Sequence, residues 1–201
     1  KALSHVFFAE RAAGRLDRLK DMRVSSPKRI GVVGGGTMGA GIAAACLLAG
    51  LRVTLLEQTS EAAEAAQGRV IGILQDSLTR GVITAARHAA LLSAFEPAHD
   101  PAALADAELV IEAVFEDFEV KKAVLAQLVS VTGPECVLAT NTSYLDVNAL
   151  AHTLPDPSRL VGLHFFSPAH VMKLLEIVVP NTVSDHSLAK GAALAKALGK
   201  M

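Results

Sequence analysis

Tryptophan is absent from this 201-residue sequence, tyrosine occurs once, and aromatic residues make up only 4% of it. So few rings leave no platform on which single-stranded nucleic acid could stack its bases. An excess of charge is missing too: 19 Lys and Arg stand against 20 Asp and Glu, a formal net charge of −1. No bulk field therefore draws in nucleic acid or an anionic membrane. Cysteine is limited to Cys46 and Cys136, far apart and in no C-x-x-C pair. This argues against a disulfide framework and a thiolate metal site, and for a reducing compartment. No apolar run reaches the roughly 18 residues of a membrane span. Glu10 and Arg11 cut the stretch Val6-Phe7-Phe8-Ala9 too short for a signal peptide.

What is present is an apolar, moderately charged chain (51% hydrophobic, 19% charged), which places it among globular proteins with a real core. Its length suits one full domain with a short appendage. It starts at Lys1 and stops at Met201 just after a helical pattern, which reads as a piece of a longer chain. Leu3, Val6, Phe7, Ala13, Leu16 and Leu19 recur at helical spacing, and Val24–Lys28 reads as a linker. Residues 1–27 are thus set apart as a linker helix and 28–201 as the main domain. In the latter, strands are expected at 30–33, 52–57, 109–115, 137–143, 160–165 and 174–179. Helices are expected at 38–49, 119–131 and 187–198. Residues 60–92, too long for one crossover, read as a projecting helical pair turning at Arg80-Gly81. Such alternation predicts an α/β fold: a Rossmann-type, doubly wound, mostly parallel sheet.

Gly34-Gly35-Gly36-Thr37-Met38-Gly39 satisfies G-x-G-x-x-G between an apolar strand and an apolar helix, the context that makes the motif informative. Gly34 permits the tight turn, Gly36 lets backbone amides approach a pyrophosphate, and Gly39 lets the helix pack close to the strand. Thr37 and Met38 open the helix whose N-terminus faces the phosphates. Glu57, ending the second strand, can accept hydrogen bonds from the adenosine ribose and would repel a 2′-phosphate, so NAD is favoured over NADP. The alternative is a ligand-free glycine turn beside an ordinary surface glutamate.

Three ionisable residues lie inside apolar strands: Glu112, His164 and Glu176. Glu112 has no evident partner and reads as structural. The link between the segments of His164 and Glu176 is too short for a parallel crossover, which takes about a dozen residues or more. An antiparallel hairpin centred on His170 sets the two directly opposite each other, on one face. A buried carboxylate steadying a neutral imidazole suits dehydrogenation of an alcohol. The competing interpretation is a structural histidine with a satisfying partner. Asn141-Thr142-Ser143 closes another strand at its carboxyl edge, where open α/β sheets bind ligands. Asn141 and Ser143 are candidate cofactor contacts there, and Ser143 can also hydrogen-bond a substrate oxygen, or else serve as a turn residue. Glu116 and Lys121 lie at the same edge, as cofactor contacts or as an ordinary ion pair at a helix start. No metal is expected, since the seven histidines form no H-x-x-x-H or H-E-x-x-H pattern. The single Tyr144 is followed at position 148 by Asn148, which excludes the Y-x-x-x-K of short-chain reductases.

The segments VVGGGTMGAGIA (32–43), IEAVFEDFEVKK (111–122), ATNTSYL (139–145) and GLHFFSPAHVMKLLEIV (162–178) run in an order that resembles the L-3-hydroxyacyl-CoA dehydrogenases of fatty acid β-oxidation, over about residues 28–200. The form of the last segment looks most like the multifunctional hydratase–dehydrogenases, and Phe8-Ala9-Glu10-Arg11 resembles the helix that joins their hydratase domain to the dehydrogenase. The resemblance implies oxidation of an (S)-3-hydroxyacyl-CoA thioester by NAD. It implies His164 as catalytic base with Glu176 as partner, Ser143 at the substrate oxygen and nicotinamide side, Glu57 at the adenosine ribose, and Glu116 and Lys121 along the rest of NAD. The helical pair would help receive the acyl-CoA. A hydratase domain before this segment and a C-terminal helical domain after it are the implied partners, in a bacterial cytoplasm, a peroxisome or a mitochondrion. Ser167 departs from the asparagine that many members carry there as an NAD contact. Two alternatives stay open: an NAD-binding module without turnover, and a dehydrogenase of a non-CoA hydroxyacid.

Overall fold

A computed structural model describes residues 17–20, 22 and 24–201. The linker helix expected at the start of the chain therefore falls mostly outside the described residues. What is seen of it is one 3₁₀ turn, Asp17–Leu19. Arg18 fastens this turn to the last helix, pairing with the Asp185 carboxylate and donating to the Val183 carbonyl at 2.8 Å.

Seven strands form one sheet in the order β3-β2-β1-β4-β5-β6-β7. They are β1 (Arg29–Val33), β2 (Arg52–Leu56), β3 (Phe95–Ala98), β4 (Leu109–Glu112), β5 (Val137–Thr140), β6 (Leu160–Phe165) and β7 (Leu175–Val178). The first six are parallel and β7 is antiparallel to β6. The α-helices are α1 (Thr37–Leu48), α2 (Ser60–Thr79), α3 (Ala85–Ser93), α4 (Phe118–Val131), α5 (Val147–Ala151) and α6 (Asp185–Ala197). Among the described residues no helix is long and apolar enough to cross a membrane.

The two-residue period of the strands sorts their side chains onto two cores. Ile30, Val32, Leu109, Ile111, Val137 and Ala139 join α1, α2 and α6 on one face. Val33, Val110, Cys136 and Leu138 join α4 and α5 on the other. Burial on both faces is why these strands read as unbroken apolar runs. Helix α1 is apolar nearly all round because it is enclosed, with residues 39–47 buried.

The strand order reverses between β1 and β4, and the crevice outside their carboxyl ends is where open α/β sheets hold ligands. Two expected strands stop earlier than their composition suggests. Residues 113–115 and 141–143 leave the sheet and build this crevice instead. Strand β3 was not foreseen: Phe95-Glu96-Pro97-Ala98 has no apolar alternation, and its proline is tolerated because β3 pairs with β2 alone, at the edge. The helical pair is present as α2 and α3, turning through Gly81 at φ +70°. It projects less than expected, since Ala63, Ala66, Val70 and Leu74 of α2 sit in the core.

Candidate active site

The chain leaves β1 through the glycine turn. Gly34 has φ +89° and donates its amide to the Leu56 carbonyl. A Cβ at Gly39 would lie 1.7 Å from the Gly34 carbonyl oxygen, so α1 starts against the turn only because that residue has none. A Cβ at Gly35 would lie 2.2 Å from the Ala66 Cβ, a demand set by the crossing of α2 that the motif does not announce. Gly36 is different: a Cβ there would meet open space. It begins a helix with no side-chain cap and no acid in its first turn. Each of the other five α-helices has an N-cap oxygen, from Thr59, Thr84, Asp117, Asp146 or Ser184. The α1 amides thus face an open, uncapped cradle suited to a pyrophosphate. At its far end the Glu57 carboxylate accepts the Gly35 and Gln58 amides, and Arg69 Nε donates to the Gly35 carbonyl at 2.8 Å. These residues fit a dinucleotide.

On the other side of α1, a cleft of about 370 Å³ opens beyond β4, β5 and β6, lined among others by Met38, Glu116, Asn141, Ser143, His164 and Ser167. The hairpin has the expected register, His164 opposite Glu176, and Nδ1 lies 2.8 Å from Oε2. With the carboxylate accepting from Nδ1, a neutral ring carries its lone pair on Nε2. The Phe166 ring packs at 4.6 Å, tilted by 50°, and helps set the imidazole. One expectation is corrected: Glu176 is not buried. Its side chain is 53% exposed against 19% for His164, because β7 is the outer strand of the sheet. Asn141 Oδ1 accepts the Phe165 amide at 2.8 Å, which ties the ends of β5 and β6 together.

Beneath the cleft lies a charged cluster. The Lys121 ammonium, 1% exposed, contacts both Glu112 oxygens at 3.0 and 2.9 Å and Glu116 Oε2 at 3.1 Å. Glu112 is thus not without a partner. Thr140 donates its hydroxyl to Glu112, and Val114 donates its amide. Burial pushes the Glu112 carboxyl up and Lys121 opposes that shift. Glu116 accepts the Ser143 amide at 2.7 Å and the Thr142 hydroxyl, while the Ser143 hydroxyl lies 3.4 Å away. Partial burial pushes Glu116 up, but these donors and Lys121 outweigh it and hold the carboxyl below its ordinary range.

The structure therefore gathers Met38, Glu116, Asn141, Ser143 and His164 at one cleft, with Glu176 behind His164. Gly34, Gly36, Thr37 and Gly39 form the cradle, and Glu57 marks its other end. Lys121 stands one step back, reaching the cleft only through Glu116. Arg69, Thr142, Phe166 and the Glu112 contact were not foreseen. The one available signal was an acid in an otherwise apolar strand, nine residues before a lysine.

The family described as 3-hydroxyacyl-CoA dehydrogenase, NAD binding domain, matches residues 29–201. The peroxisomal fatty acid beta-oxidation multifunctional protein AIM1 of Arabidopsis thaliana is 37% identical over 203 residues, all of this chain and 28% of that protein. The 3-hydroxyadipyl-CoA dehydrogenase of Escherichia coli (strain K12) is 45% identical over 149 residues, 74% of this chain and 31% of that protein. The crystal structure of 3-hydroxybutyryl-CoA dehydrogenase from Escherichia coli K12 aligns with a TM-score of 0.82 at 39% identity, covering 90% of this chain and 38% of that one. The chain spans only 28% of the length of the first of these relatives. With its glycine cradle, its rim cleft and these relatives, the chain belongs to the 3-hydroxyacyl-CoA dehydrogenase family and is an NAD-binding domain of it.

Proposed function

We propose that the protein containing this domain oxidises the 3-hydroxyl of an (S)-3-hydroxyacyl-CoA thioester to the 3-oxo thioester, with His164 as catalytic base. The observation that carries this is the 2.8 Å contact of His164 with Glu176 at the rim of a cleft shared with the N-terminal end of α1. NAD held in this site would supply the acceptor for the C3 hydrogen and its electron pair. His164 takes the hydroxyl proton at Nε2 as the C3–O bond becomes a carbonyl. Glu176 holds the ring in the tautomer that exposes Nε2 and stabilises the imidazolium that forms. Ser143 orients the substrate oxygen. Gly34, Gly36, Thr37, Met38 and Gly39 receive the pyrophosphate, Glu57 the adenosine ribose, and Glu116 and Asn141 the nicotinamide side, with Lys121 setting Glu116.

The substrate class is supported by relatives named for 3-hydroxyadipyl-CoA and 3-hydroxybutyryl-CoA. Relatives named multifunctional and bifunctional support further domains in the same protein, which we take to be a hydratase domain and a C-terminal helical domain. We assign residues 1–27 to the linker from the former. The plant and fish relatives are named peroxisomal, and we place this protein in a bacterial cytoplasm, with a peroxisome or a mitochondrion as the alternatives. The test is NADH oxidation by the full-length protein, followed by absorbance. Oxidation with acetoacetyl-CoA but not with free acetoacetate is the expected outcome. Oxidation with free acids alone reassigns the substrate, and none with either leaves a binding module.

A further inference from the structure

We propose that the Glu112–Lys121–Glu116 cluster carries one uncompensated negative charge beneath the cleft, and that this charge raises the affinity for oxidised over reduced cofactor. The proposal rests on the reading that the nicotinamide lies in the cleft beside Glu116 and His164.

The charge count comes from the contacts. One ammonium, that of Lys121, serves two carboxylates, Glu112 and Glu116. Among the described residues no other cation lies within salt-bridge distance of either, and neighbouring Lys122 is turned to Glu119. The remaining partners of the pair are neutral donors: the Thr140 and Thr142 hydroxyls and the Val114 and Ser143 amides. Against its burial, Glu112 is held as the carboxylate by the Lys121 ammonium, which touches both its oxygens, and by the Val114 amide. Thr140 Oγ1 accepts the Thr142 amide and donates its own hydrogen to Glu112.

A second carboxylate is not needed to neutralise Lys121, and burying one in full carries a desolvation cost that a neutral residue of the same shape avoids. Its surplus charge does have a target. The oxidised nicotinamide ring is cationic and the reduced ring is neutral, so a fixed anion under the cleft favours the first. Because Glu112 and Lys121 are almost wholly enclosed, solvent and salt screen this charge less than a surface charge. Glu116 extends it to the cleft wall.

The test uses the full-length protein and measures two dissociation constants, that of NADH by its fluorescence and that of NAD by displacement of NADH. Wild type, Glu112→Gln and the double variant Glu112→Gln/Lys121→Met hold formal cluster charges of −1, 0 and −1. The affinity ratio is expected to shift toward NADH by about three- to tenfold in Glu112→Gln, the size of one partly screened charge. It is expected to return to within about twofold of wild type in the double variant, where packing is altered more but charge is restored. Glu116→Gln also brings the cluster to 0 should Glu112→Gln not fold; because Glu116 itself lines the cleft, it is read by the NAD-to-NADH affinity ratio alone and not by either affinity separately. An unchanged ratio in the single variants, or a double variant that departs further, overturns the inference while leaving the cofactor site intact. If wild type binds no NADH, the cofactor site and the inference fall together.

Discussion

His164 and Glu176 occupy opposed positions of the one antiparallel strand pair in the sheet, and their Nδ1 and Oε2 atoms are 2.8 Å apart. The contact spans two strands of a single hairpin, so the imbalance in exposure, 19% for the histidine and 53% for the glutamate, has a simple origin. The histidine stands one strand further in. Removing the acid should therefore disturb the ring without opening the core. Glu176→Gln is predicted to lower kcat by about ten- to a hundredfold, at the lower end of what positioned acid–base groups contribute. NADH affinity, measured by fluorescence titration, should stay within about twofold, since Glu176 is not among the cofactor contacts.

The glycines of the turn should separate into two kinds. Gly39→Ala sets a Cβ 1.7 Å from the Gly34 carbonyl oxygen and is predicted to cost about 3 kcal/mol or to prevent folding. Gly36→Ala meets open space and should change stability by less than about 0.5 kcal/mol. Its methyl group stands where the pyrophosphate approaches, so NAD affinity should fall at least about tenfold. Urea unfolding and calorimetric titration of both variants check the contrast. A Gly36→Ala protein that binds NAD normally removes the cradle from its role.

Glu57→Ala is predicted to weaken NAD binding by about tenfold or more, the loss of charge-assisted hydrogen bonds to the ribose. Affinity for NADP should fall less or rise, because the repulsion of a 2′-phosphate goes with the carboxylate. Calorimetry with both dinucleotides gives the ratio. An unchanged ratio would free Glu57 of any part in discrimination and leave it as a tether for Gly35.

Glu116 has its folded-state carboxyl held below the ordinary value of 4.5. Its ionised form therefore stabilises the native state above that pH, and the contribution disappears as pH falls through the lowered folded value. Glu116→Gln should be less stable than wild type by about 2 kcal/mol at pH 7, the scale of hydrogen bonds to a charged acceptor. The gap should close on acidification below pH 4.5. Denaturant unfolding across pH 3 to 7, roughly the range in which carboxylates titrate, tests the sign.

Much of this architecture could be read from the residues, and the exceptions share a cause. The glycine turn and the His164–Glu176 pairing were legible because turn chemistry, loop length and strand alternation are local constraints. Strand ends were not legible. Ala113-Val114-Phe115 is composed like the strand it follows, and Asn141-Thr142-Ser143 holds no glycine or proline to mark a stop, yet β4 and β5 end at Glu112 and Thr140, where buried polar side chains take over. β3 was hidden by Pro97 and its edge position. The partner of Glu112 depends on how α4 folds back under β4, and no spacing rule encodes that. Glu176 looked buried from its apolar neighbours, but only the sheet order reveals that β7 has one open side.

In the proposed reaction the imidazole of His164 moves the proton while the cofactor is held elsewhere, by the turn and by Glu57. The most direct measurement is a paired one on the full-length His164→Gln protein: turnover of acetoacetyl-CoA with NADH, and NADH affinity by fluorescence. A fall in kcat of about a thousandfold is expected, with affinity changed by no more than about twofold. Turnover close to wild type at unchanged affinity would contradict it.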